Sequence, residues 1–131
     1  MENSILAARS GYFDVLTHMD KHKGDFLKES CLANLPDPYD FRCIMPQVEQ
    51  LMKALAEENV RLEVNPALAF AFEDIDLTYP QQEFLQCALD KGVRFTYGSD
   101  AHKPEQVGRL LDQLRQHPLY GKAIAQWEEE P

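Results

Sequence analysis

The 131 residues are 44% hydrophobic and 27% charged, a globular balance that excludes a wholly disordered chain. Thirteen Lys and Arg against 22 Asp and Glu leave a formal charge of −9. That excess disfavours attachment to nucleic acid or to an anionic membrane, since both rely on cationic side chains.

The length suits one domain or part of one. No apolar run approaches the ~18 residues of a membrane span. Glu2 and Arg9 around a short apolar patch do not read as a signal peptide. Cys31, Cys43 and Cys87 are odd in number and widely spaced, which predicts free thiols in a reducing, cytoplasmic setting.

In chain order, Ile5, Leu6 and Ala8 close a first helix that Gly11 stops. Phe13 to Thr17 predicts a short, mostly buried strand running into His18, Met19 and Asp20. Residues 21–43, with Gly24, Pro36 and Pro38, read as a long loop. Ile44, Val48, Leu51 and Leu55 recur at helical spacing, and Pro46 is tolerated in the first turn. Val60 to Val64 alternates as a second strand, and Asn65 to Thr78 reads as irregular. Pro80 opens another helix, with Phe84, Leu85, Ala88 and Leu89 inward, which Gly92 closes. Val93, Phe95 and Tyr97 predict a third strand ending at Asp100 and His102. A last helix is expected over 104–116 with Val107, Leu110, Leu111 and Leu114 on one face, and a frayed acidic tail over Trp127 to Pro131.

Strands alternating with helices predict right-handed βαβ units, a parallel sheet and an α/β fold. Three strands are few for a free-standing parallel sheet, so a piece of a barrel or of a wider sheet is expected.

Sites in such folds gather at the C-terminal ends of strands. The three exits carry His18 and Asp20, then Glu63 and Asn65, then Asp100 and His102, so metal-competent side chains are expected on one rim. Each has a plainer reading: His18 as a hydrogen-bonded core histidine, Asp100 as a helix cap. His22 and His117 are expected to be solvated.

Three segments carry a resemblance to a family. Phe13 to Asp20, Leu62 to Asn65, and Gly98 to Gly108 resemble the late motifs of PHP-domain (polymerase and histidinol phosphatase) phosphoesterases, closest to the histidinol-phosphate phosphatase branch. The resemblance covers nearly the whole chain. It implies that residues 1–131 form the C-terminal part of one distorted (β/α)7 TIM-like barrel. It implies metal-dependent hydrolysis of a small phosphorylated substrate, with zinc, manganese or iron activating the attacking water. By the same resemblance His18, Asp100 and His102 are metal ligands, and Asp100 and His102 the candidate catalytic residues. Asn65 would line the substrate pocket, and Asp20 would support the ligands or hold the following loop. Glu63 reads as structural.

Two departures are plain. No His-x-His pair occurs in the chain, and residues 62–90 contain no Lys, Arg or His to meet a phosphate. In the family the three matched ligands serve different ions. The alternative expectation is a non-catalytic half-barrel that binds a partner, or a second copy, through open sheet edges. An amidohydrolase-like barrel is a third, which the Gly98 to Pro104 phrase disfavours.

Overall fold

A computed structural model describes residues 1–20 and 41–130. Most of the expected loop over 21–43 lies outside them, as do His22, Cys31 and the side chain of Cys43. Three parallel strands form one sheet in the order β1 (Val15–Leu16), β2 (Arg61–Val64), β3 (Phe95–Tyr97). Leu16 stands opposite Leu62 and Leu62 opposite Phe95. Six α-helices accompany the sheet among the described residues: α1 (Glu2–Arg9), α2 (Met45–Glu57), α3 (Ala67–Phe72), α4 (Gln82–Asp90), α5 (Leu111–Gln116) and α6 (Tyr120–Glu129). None is long and apolar enough to cross a membrane.

The alternation in β2 sorts its side chains. Leu62 and Val64 are fully buried, while Arg61 and Glu63 lie half-buried on the opposite face. The buried face meets Leu51, Met52 and Leu55 of α2, Phe84, Leu85 and Ala88 of α4, and Tyr120, Ala123 and Ile124 of α6 in one core. Helix α2 carries Pro46 in its first turn, where a missing N–H costs nothing. Helix α4 ends in a left-handed Gly92, with the Val93 N–H returning to the Ala88 carbonyl.

Four expectations need correction. The first strand is shorter than the run Phe13 to Thr17, and it is not mostly buried: Phe13 and Val15 are 56% and 37% exposed on an outer strand. The irregular stretch after β2 contains α3 and a 3-10 turn, Ile75–Leu77. The last predicted helix is broken. A 3-10 turn, Pro104–Gln106, is separated from α5 by Gly108 and Leu110, both left-handed at φ 74° and 58°, and Val107 points outward, 72% exposed. The acidic tail is not frayed, because an amphipathic helix runs through it. Trp127 of α6 packs on Tyr97 with ring centroids 5.6 Å apart. Glu130 pairs with Arg61 and Arg94, each at 2.7 Å.

Candidate functional site

The exits of all three strands meet on one rim. His18 follows β1 with a left-handed backbone, φ 50°, and Asp100 follows β3 in the same conformation, φ 51°. Two non-glycine residues in this costly region turn the chain sharply where each leaves the sheet. His18 Nε2 comes to 3.6 Å from Asp100 Oδ2. His18, Asp100 and His102 line one cavity of about 390 Å³, closed by Tyr79 and by Ala67, Leu68 and Ala71 of α3.

Strand β2 supports this cluster from below. Glu63 Oε2 accepts the His18 backbone N–H at 3.3 Å and stands 3.7 Å from Nδ1. Its carboxylate is only 11% exposed, seated where a side chain on Gly98 would collide with it. Glu63 is therefore part of the cluster, contrary to the purely structural role its place on the strand suggests.

Asn65 is fully buried. Its backbone pairs in both directions with Tyr79 at 2.8 Å, and its Oδ1 accepts the Ala67 N–H at 2.9 Å. That bond leaves the amide nitrogen facing His18 Nε2 at 3.5 Å. The ring thus lies between three groups, with the amide nitrogen and Asp100 Oδ2 near Nε2 and Glu63 near Nδ1.

The tautomer of His102 is set by its own turn. Its Nδ1 lies 2.8 Å from the Asp100 carbonyl, which can only accept. Its backbone N–H donates to Gln106 Oε1 at 2.9 Å. Neutral His102 thus keeps Nε2 as a lone pair. Asp100 does not cap the following turn; Lys103 occupies the N-cap position there, without a side-chain bond.

Asp20 is fully buried, and its Oδ2 accepts the Gln81 N–H at 2.7 Å, tying the exit of β1 to the start of α4. The loop that follows Asp20 lies outside the described residues. His117 is not solvated: its side chain is 10% exposed, it meets Asp76 at 2.9 Å, and its Nδ1 accepts the Leu119 and Tyr120 N–H groups at the start of α6. Cys87 is a free, half-buried thiol, pushed up in pKa chiefly by burial.

The donor set does not make up a metal site by itself. A hydrolytic ion takes about three protein ligands and an open position. Among the described residues no three His, Cys, Asp or Glu side chains gather around one point. His18 and Asp100 face each other; His102 shares the cavity with its ring held to a carbonyl.

Over 111 residues the chain is 31% identical to a Deinococcus radiodurans protein described as a probable histidinol-phosphatase. The match takes in 84% of this chain and 37% of that relative, so the chain spans little more than a third of the length of the curated relative it matches. No model of a known protein family matches the chain.

Proposed function

We propose that this chain forms the late βα units of a PHP-type, partial (β/α)7 barrel and serves metal-dependent phosphomonoester hydrolysis of the histidinol-phosphatase kind. The observation that carries the reading is the approach of His18 to Asp100 within 3.6 Å at a strand-exit rim, in one cavity with His102. The likeness to a probable histidinol-phosphatase supports it.

In this reading His18, Asp100 and His102 present lone pairs and charge to zinc, manganese or iron, and further ligands come from outside the described residues. Asp100 and His102 border the reacting phosphate, and buried Asn65 backs the pocket through the His18 ring that its amide faces. Asp20 keeps the β1 exit and the start of α4 together. The substrate is a small phosphorylated molecule.

The test is hydrolysis of histidinol phosphate and of a generic phosphomonoester by the protein carrying this chain, with manganese or zinc added. Asp100→Asn and His18→Asn should each lower turnover by about 10²-fold or more. Undiminished turnover in both variants would overturn the site.

A second reading, a non-catalytic module, is favoured by the outer strand. Tyr12, Phe13 and Val15 are 86%, 56% and 37% exposed along β1 and its approach, a template for strand pairing with a second copy. Light scattering after size exclusion distinguishes the readings. The module predicts a dimer that Val15→Lys dissolves, with no hydrolysis under any metal.

A further inference from the structure

We propose that Arg109 is a positioning residue for Asp100 and His102, acting through the carbonyl oxygens of the turn that carries them. The inference rests on the reading of those two residues as working groups of the site. Arg109 lies in the break between the 3-10 turn and α5, where an uninterrupted helix would have sent its side chain elsewhere. Left-handed Gly108 and Leu110 on either side reverse the chain, and the guanidinium reaches back under the β3 exit.

There its Nε donates to the Ser99 carbonyl at 2.7 Å and its Nη2 to the Asp100 carbonyl at 3.2 Å. The same Asp100 oxygen accepts His102 Nδ1–H at 2.8 Å. One carbonyl, held by the arginine, therefore orients the imidazole. Asp100 itself is left-handed, φ 51°, a conformation that Asp enters more readily than most residues, and the arginine holds its carbonyl in that turn.

Two more contacts fix Arg109 itself. Tyr97 of β3 donates its hydroxyl to the Arg109 carbonyl at 2.8 Å. The guanidinium also lies 4.8 Å from the centre of the Phe70 ring, a cation–π contact. Phe70 belongs to α3, which supplies the opposite wall of the cavity. Arg109 thus joins both walls. Two of its five N–H groups are on carbonyls and its face lies on a ring, which fixes the plane of the guanidinium. Lysine could keep the charge but not the two-pronged geometry.

Imidazole and Arg Nε–H signals of the full chain test this by NMR, at a pH where the histidines are neutral. In the unsubstituted protein His102 should be mainly Nδ1–H, and the Arg109 Nε–H should exchange slowly with water. In Arg109→Gln the His102 tautomer ratio should invert toward Nε2–H, and the His102 amide should exchange about tenfold faster. Core amides of β2 should not change. Arg109→Lys, which keeps the charge should the glutamine variant fail to fold, is expected to show the same inversion.

An unchanged tautomer ratio in either folded variant overturns the proposal. So does a shift of the Arg109 Nε–H as the first response to added inorganic phosphate, which would make the arginine an anion ligand. Neither readout needs turnover. Failure of the phosphoesterase reading would appear as absent hydrolysis with the tautomer effects intact.

Discussion

His18 Nε2 stands 3.6 Å from Asp100 Oδ2, although their strands are not neighbours in the sheet: β2 lies between them. Both chains turn left-handed as they leave the sheet, and so lean toward each other over the end of β2. Glu63 of that middle segment accepts the His18 backbone N–H, and the Asn65 amide nitrogen faces the ring. A parallel sheet thereby brings together side chains from opposite edges without any direct strand contact. The two left-handed residues are a His and an Asp, types that enter this conformation more readily than most non-glycine residues.

Gly98 is the position where this arrangement is most exposed to a small change. An alanine methyl there would meet the Glu63 carboxylate, and Glu63 has little room, being 11% exposed. Gly98→Ala should cost about 1–3 kcal/mol in urea unfolding, as overpacking does, and should release the His18 amide from its carboxylate partner. The same substitution in a Glu63→Ala background should cost almost nothing, because the obstructing group is gone. A penalty that persists in the double variant would place the collision elsewhere.

Tyr120 is fully buried at the start of α6, and its hydroxyl shares one proton between the Thr78 and Pro80 carbonyls, each at 2.8 Å. Tyr120→Phe strands two buried acceptors and should cost about 1–3 kcal/mol. Burial, reinforced by Asp20, Asp76 and Glu83, pushes the phenol well above its ordinary 10.0. Ionisation is thus harder folded than unfolded. The stabilisation is complete below about pH 10 and declines as pH rises beyond it. Unfolding followed from pH 9 to 11 should fall more steeply in the unsubstituted protein than in Tyr120→Phe.

Glu130 acts with the opposite sign. The Arg94 hydrogen bond, and next the Arg61 charge, hold its carboxyl below the usual 4.5. A carboxylate depressed on folding stabilises above its unfolded value and loses that contribution as pH falls through the folded one. Glu130→Gln should lower the Tm at pH 7, and the gap to the unsubstituted protein should close below about pH 4. High salt should narrow the gap at pH 7, since the pair lies near the surface. A Tm difference independent of both pH and salt would mean that the side chain acts by packing alone.

Where apolar periodicity decided the structure, it was legible in the residues. The alternation of Val60 to Val64 and the helical spacing of Val48, Leu51 and Leu55 report burial directly, and both elements formed. The rim placement of His18 and Asp100 follows from their positions after predicted strands. Three features escaped because their causes are tertiary. Val107 and Leu110 match a helical face, but Arg109 and Tyr97 draw the chain into a turn instead. His117 beside Pro118 has no local mark of burial; its partners are Asp76 and the first amides of α6. Glu63 looks like any polar residue of a half-buried strand until Gly98 and His18 are set around it. The acidic end after Trp127 carries no apolar spacing of its own; it is ordered as the last turn of a helix whose inward face is Tyr120, Ala123, Ile124 and Trp127.

The last prediction concerns divalent metal. His18 Nε2 and Asp100 Oδ2 face each other, and with Nε2 deprotonated the pair offers two ligand atoms to a divalent cation. Two donors are a weak hold. Full tetrahedral zinc sites bind with about 10–16 kcal/mol, whereas a dissociation constant of 1 μM corresponds to ~8 kcal/mol. An imidazole and a carboxylate cover only half of a four-ligand set. Zinc or manganese titrated into this chain by calorimetry should therefore bind with a dissociation constant above about 1 μM, and the chain alone should not turn over a generic phosphomonoester. The residual binding should vanish in His18→Ala and in Asp100→Asn, while His102→Ala should change it less, its ring being held to the Asp100 carbonyl. The net charge of −9 supplies only diffuse attraction, screened over about 8–10 Å at physiological salt, so raising the salt should not abolish site-specific binding. Stoichiometric binding tighter than 1 μM, with metal-dependent turnover lost in Asp100→Asn, would show that the ligand set is completed within this chain or across two copies of it.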